Sequence, residues 1–128
     1  MSVAQHINRL QHIGIPTKDI GKTVQFYESL GFEQRYRDDE REEPVVFLEL
    51  QGVMVETYQT GAATGIPGAI DHIAMDVDDI DATYREVTAL GYAALDGAVQ
   101  FLPFWEKGVK FFTISGPNGE KVEFSQKL

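Results

Sequence analysis

The sequence predicts an α+β domain built from two tandem βαβββ modules, and three observations carry that prediction. First, the stretch at residues 10–32, LQHIGIPTKDIGKTVQFYESLGF, returns sixty residues later at 70–92 as IDHIAMDVDDIDATYREVTALGY. Second, each copy passes from a short apolar stretch into a helical hydrophobic period. Third, each copy is followed by further strand-like runs. A repeat of this length is one supersecondary unit used twice.

The elements follow in order. His12/His72, Ile13/Ile73, Asp19/Asp79, Ile20/Ile80, Thr23/Thr83, Leu30/Leu90 and Gly31/Gly91 are identical between the copies. Residues 10–16 and 70–77 read as strands. Asp19 and Asp79 stand where an N-cap belongs. Ile20, Val24, Tyr27 and Leu30 fall at helical spacing, as do Ile80, Tyr84, Val87 and Leu90. Gly31 and Gly91 then stop each helix as C′ residues. The strands expected next are FEQRYR, VVFLEL and VMVETY in the first copy. In the second they are YAALDG with AVQFL, then VKFFTIS and EKVEFSQ. Residues 45–52 align with 109–116, which sets Phe47 against Phe111 and Gly52 against Gly116. Val55-Glu56 then aligns with Val122-Glu123 after a three-residue insertion, Pro117-Asn118-Gly119, a tight-turn sequence. The small-residue stretch TGAATGIPGA at 60–69 reads as a linker. The expected plan is one domain, 1–128, made of a module at 1–60, a linker at 61–67 and a module at 68–128. RDDEREE (37–43) reads as a solvated loop. FLPFWEKG (101–108) has two open readings: a loop packed onto the sheet, or an apolar wall over a ligand pocket.

Composition narrows the function. The 128 residues are 43% hydrophobic and 24% charged, which suits a globular domain. A net charge of -9 leaves no basic stripe for phosphates, so neither nucleic acid nor an anionic membrane surface is an expected partner. The acidity itself reads as solubility. With no cysteine, disulfides, thiolate zinc sites and thiol nucleophiles are excluded, and any metal site must use His, Asp, Glu, Asn, Gln or water. There is no basic segment followed by an apolar one at the N-terminus, and no apolar run of bilayer length. A soluble, cytoplasmic protein is expected.

The chemistry-bearing residues come in equivalent pairs. His12 and His72 lie near the start of the first strand of each copy, and Glu56 and Glu123 lie in the last strand among apolar neighbours. A lone carboxylate in such a strand is costly unless paired or metal-bound. If a pseudo-two-fold relates the modules, the four side chains can converge, and two imidazoles with two carboxylates suit a divalent first-row ion. Four side chains pointing apart would instead favour a metal-free binding protein. His6 lies outside the repeat and reads as surface.

Taken together, HIGIPTKDIGKTVQFYESLGF, VMVETY, DHIAMDVDDIDATYREVTALGY and GPNGEKVEFSQ resemble the vicinal oxygen chelate superfamily, the glyoxalase/bleomycin-resistance/dioxygenase group, over essentially the whole chain. The resemblance implies an incomplete barrel around one divalent ion per site, nickel, cobalt, manganese or zinc. It implies His12, Glu56, His72 and Glu123 as ligands, a small-molecule substrate and a homodimer, although a single chain could close its own site. The His/Glu/His/Glu pattern is closest to glyoxalase I, a lyase that moves a proton next to a carbonyl through a metal-stabilised enediolate. Glu123 is then the principal base, with Glu56 able to play the same part. A methylmalonyl-CoA epimerase-like enzyme, which usually carries Gln at the position of Glu56, and a metal-free binding or resistance protein are the alternatives. IGIPT after His12 lacks the Arg that glutathione-dependent members often carry, and TYQ after Glu56 lacks the expected Asn, so the resemblance leaves the substrate and the use of a thiol open. Tyr58, Phe101, Phe104 and Trp105 are the candidate substrate-pocket residues.

Overall fold

In the computed structural model, which describes residues 2–128, a short 3-10 turn (Val3–Gln5) precedes ten elements. These are β1 (Ile13–Thr17), α1 (Ile20–Ser29), β2 (Glu33–Asp38), β3 (Val45–Leu50), β4 (Val53–Gln59), β5 (His72–Asp76), α2 (Ile80–Ala89), β6 (Gln100–Leu102), β7 (Val109–Ser115) and β8 (Lys121–Lys127). The strands form two four-stranded sheets, ordered β1-β4-β3-β2 and β5-β8-β7-β6. In each, the first strand runs parallel to the last and the remaining pairs are antiparallel. Each sheet with its helix is one βαβββ unit. Among the described residues no helix is long and apolar enough to cross a membrane.

Both helices begin and end where the capping residues place them. The Asp19 carboxylate accepts the N–H of Lys22, and the Asp79 carboxylate that of Ala82. Gly31 and Gly91 follow with φ of 104° and 99°, a region where a Cβ would be strained. A further device recurs in both modules. The side-chain oxygens of Gln59 and Gln126 accept the N–H of Ile20 (3.1 Å) and Ile80 (2.9 Å). The last strand of each module therefore holds the start of its own helix.

Strand alternation sorts the faces. Ile15, Val46, Leu48 and Val55 of the first sheet, and Phe112, Ile114, Val122 and Phe124 of the second, pack with Val24, Phe26, Tyr27, Ile80 and Val87 of the helices. This single cluster spans both modules. The Phe26 ring also meets Tyr92 edge-on at 5.1 Å, and the hydroxyls of Ser29 and Tyr92 are 2.7 Å apart. Glu56 and Glu123 alternate with these core positions and so lie on the sheet faces turned away from the helices.

Three sequence expectations are corrected. YAALDG is not a strand. Residues 92–94 are irregular and 94–97 form a turn, with Gly97 at φ 81° and one bond from the Leu95 N–H to the Thr113 carbonyl (2.8 Å). The Asp96-Gly97 turn breaks the run before a ladder can form. His12 sits one residue before β1, whereas His72 opens β5. The hairpin alignment also shifts by two. Phe47 pairs with Glu56, but Thr113, not Phe111, pairs with Glu123. Burial fixes this register, because Val46, Leu48, Phe112 and Ile114 are all fully buried and a two-residue shift keeps each strand's faces. The three-residue insertion thereby reduces to one. Leu50 pairs with Val53 across the type I′ turn Gln51-Gly52 (φ 49° and 81°). Gly116 bonds Glu120 (2.7 Å) across the three residues Pro117-Asn118-Gly119.

The stretch at 60–69 is packed against that second turn. A Cβ on Gly119 would collide with the Gly65 carbonyl, so only glycine fits there. Asn118 donates to the Thr23 hydroxyl (2.9 Å), and the Tyr27 hydroxyl donates to Glu120 (3.0 Å). The β7–β8 turn thus docks onto the helix of the other module.

Candidate functional site

The two histidines are presented in the same way. Gly14 is in register with Glu56 between β1 and β4, and Ala74 is in register with Glu123 between β5 and β8. Each histidine lies two residues upstream on the same face as its glutamate. His12 Nε2 is 3.6 Å from Glu56 Oε1, and His72 Nε2 is 4.0 Å from Glu123 Oε2. Neither distance is a hydrogen bond. Both Nε2 atoms and both carboxylates are left open, and all four side chains are partly exposed.

The other ring nitrogen is engaged in both cases by the preceding residue. His12 Nδ1–H donates to Gln11 Oε1 (2.9 Å), and His72 Nδ1–H donates to Asp71 Oδ2 (3.0 Å). An amide oxygen or a carboxylate can only accept, so Nδ1 is the donor in each pair and Nε2 is turned outward without a hydrogen bond. This is the arrangement a metal-ligating histidine needs, and the partner that fixes it is of the usual kind. Asp71 also accepts from Lys121 Nζ (3.1 Å). Those two donors hold its carboxyl below the usual carboxylate range. The repeated pair Gln11-His12 and Asp71-His72 was legible in the sequence but was not singled out.

Each His–Glu pair fits half of a divalent-ion shell. Two donors each roughly 2.1 Å from one ion stand about 3–4 Å apart, the separation seen in both pairs. The four candidate ligands do not, however, converge within one chain. Among the described residues no three His, Cys, Asp or Glu side chains gather closely enough to hold an ion. The structure joins His12 to Glu56 and His72 to Glu123, and it keeps the two pairs on separate sheets.

The surroundings differ from the sequence expectations in two places. Beside Glu56 lies a recess of about 310 Å³ lined by Arg41, Glu43, Val45, Glu56 and Tyr58. Tyr58 was expected there. Arg41 was not, because it lies in the charge run read as a solvated loop. Phe101, Phe104 and Trp105 are 56%, 55% and 69% exposed; Phe101 lies in β6, paired with Lys110, and the stretch beyond β6 is irregular. None of the three lines the Glu56 recess. Trp105 has φ 64° and carries Lys127 Nζ over its ring at 4.0 Å. A second aromatic feature adjoins His12, whose ring meets Phe47 edge-on at 5.5 Å.

Fold and site together define a two-module α+β protein with one His–Glu pair on the open face of each sheet. Residues 9–124 match the family model described as the Glyoxalase/Bleomycin resistance protein/Dioxygenase superfamily, and the chain belongs to that superfamily. YwbC of Bacillus subtilis (strain 168) is 32% identical over 127 residues, covering 93% of this chain and 98% of that protein. The fosfomycin resistance protein FosX from Listeria monocytogenes, in a structure complexed with Mn(II) and sulfate, matches with TM-score 0.71 at 19% identity, covering 95% of this chain and 94% of that one. The bleomycin resistance determinant encoded on the transposon Tn5 matches with TM-score 0.72 at 19% identity, covering 94% and 98%. Both structural likenesses are of fold.

Proposed function

We propose that the protein is a metal-dependent lyase or isomerase of the glyoxalase I type, acting on a small molecule at a carbon next to a carbonyl. We infer further that it is a homodimer in which each site takes His12 and Glu56 from one protomer and the partner subunit's His72 and Glu123. The observation that carries this reading is the duplicated half-site. Each module offers one free imidazole Nε2 and one carboxylate, 3.6 and 4.0 Å apart, on the open side of its sheet. A single chain leaves both halves unfinished, and a second copy supplies the missing two ligands to each.

When bound, a divalent ion would act there as a Lewis acid toward substrate oxygens. The chain's own residues have separable tasks. Gln11 and Asp71 hold the imidazoles with Nε2 outward. Glu123 accepts the carbon-bound proton, and its neighbours Phe124 and Val122 bury the strand on which it is fixed. Glu56 offers a second acceptor from the other module. Arg41 and Tyr58 line the recess beside it and would orient a substrate oxygen.

Elemental analysis combined with light scattering tests this reading. Two equivalents of divalent ion per dimer are expected, with loss of both ions in His12→Ala and in His72→Ala. A monomer that binds no ion after reconstitution overturns it. The reading that then takes its place is a metal-free binding protein, which the divergence of the two pairs within one chain favours. Similarity in fold to a bleomycin resistance determinant supports the same alternative.

A further inference from the structure

The two helices are docked unequally, and the difference leaves a cavity. Beside α1, the β7–β8 turn places Asn118 on Thr23 and Glu120 on Tyr27. The equivalent positions beside α2 are Thr83 and Val87. The turn facing them is the shorter Gln51-Gly52, followed by Val53 where the other module has Glu120. A smaller helix residue, a shorter turn and an apolar residue in place of a carboxylate all act in one direction. The result is a cavity of about 650 Å³ between α2, the β3–β4 turn and the end of α1. That volume lies in the range of small-molecule sites.

Its walls are mostly apolar, including Leu50, Val53 and Phe124, and Leu90 at its side remains 51% exposed. The ionisable groups lining it are Asp76 and Glu86. Neither is in an ion pair among the described residues, and no Lys, Arg or His lines the cavity. Phe124 reaches it from the helix-facing side of β8, whereas the adjacent Glu123 faces the other way. Its α2 side thus lies across the second sheet from Glu123, while Ala74 and Asp76 bring its β5 edge to the strand face that carries His72.

We propose that this cavity binds a small amphiphilic cation, an apolar body bearing one ammonium or amidinium group, with Glu86 facing the charge, Asp76 at the β5 edge adding to the negative field, and Leu90, Phe124 and Val53 contacting the body. The site is independent of the metal-site reading, since none of its residues is a ligand there. Amide shifts in 15N-labelled full-length protein test it, with 4-phenylbutylamine, 4-phenylbutanol and 4-phenylbutyrate as matched probes. The amine should shift Thr83, Glu86 and Leu90 saturably and bind about tenfold more tightly than the carboxylate. The double variant Asp76→Asn/Glu86→Gln should erase the preference for the amine while keeping binding of the neutral alcohol. Leu90→Lys, at a half-exposed position, should weaken the amine by about fivefold or more by placing an ammonium at the cavity wall. His72→Ala should change none of these. Equal binding of amine and carboxylate, an unchanged preference in the double variant, or shifts confined to the His12 and His72 faces would each overturn the proposal.

Discussion

Helices α1 and α2 come from the same repeated unit and end up in different environments. Ile20, Thr23, Val24, Phe26 and Tyr27 of α1 are buried, against only Ile80 and Val87 of α2. Both threonine hydroxyls donate back to the capping aspartate's carbonyl, but Thr23 is wholly inaccessible and also bonded to Thr17 and Asn118, whereas Thr83 is part-exposed and has no such partners among the described residues. Both helices have the same N-cap, the same glycine stop and the same glutamine from the last strand. What separates them is the turn that reaches over from the other module. A sequence repeat thus guarantees equal local structure, and the hairpin of the opposite module decides how deeply each copy is embedded.

The widest difference to test between the modules is catalytic. If Glu123 is the base, Glu123→Gln should keep metal but lower solvent-deuterium exchange at the substrate carbon by about 10²–10⁴-fold, because an amide cannot take a proton. Glu56→Gln should lower it much less. Equal losses would make the two halves functionally symmetric. Full exchange in the double variant would remove both glutamates from the mechanism.

Stability should show the same inequality. Tyr27→Ala empties a fully buried aromatic site that is also hydrogen-bonded across the modules, and it should cost about 3–5 kcal/mol in denaturant unfolding. Val87→Ala at the equivalent place removes less volume beside an existing cavity and should cost about 2 kcal/mol. Similar values for the two would refute the unequal docking.

Tyr27→Phe isolates the polar part of the contact. It should cost about 1 kcal/mol at neutral pH. Burial first, and then the Glu120 carboxylate, push the Tyr27 hydroxyl far above the ordinary phenol range. The raised folded-state pKa means the contribution is complete below pH 10 and is lost as pH rises further, because the unfolded phenol ionises while the folded one stays protonated. Unfolding measured from pH 9 to 11 should therefore show a downward slope in the wild type that Tyr27→Phe reduces. No tyrosine marks the equivalent position in the second module, so Val87→Ala should leave that slope unchanged.

The smallest effects should be symmetric. Asp19→Ala and Asp79→Ala each remove an N-cap and should each cost about 1 kcal/mol, in contrast to the paired variants above. A difference beyond about 0.5 kcal/mol between them would extend the asymmetry to local structure as well.

What the sequence determined by itself was what residues a few positions apart can set. The helix boundaries, the capping aspartates, the glycine stops and the alternation that turns Glu56 and Glu123 away from the core depend on residues a few positions apart, so one chain's pattern suffices. The identity of the four candidate ligands was legible for the same reason: equivalence in a repeat is a sequence property. The register of the hairpins was not. Matching Phe47 to Phe111 maximised identity, whereas burial of Phe112 and Ile114 chose the pairing two residues away. YAALDG carries apolar residues in a strand-like run, yet a turn at Asp96-Gly97 and a single bond to β7 leave it irregular. Tertiary structure alone decided that Arg41 from a charged loop stands beside Glu56, and that the two His–Glu pairs remain apart in one chain. It also decided which helix is covered, because the contacts of Asn118 and Glu120 with α1 span more than ninety residues of sequence. Such contacts depend on how two modules pack, and no local pattern encodes that distance.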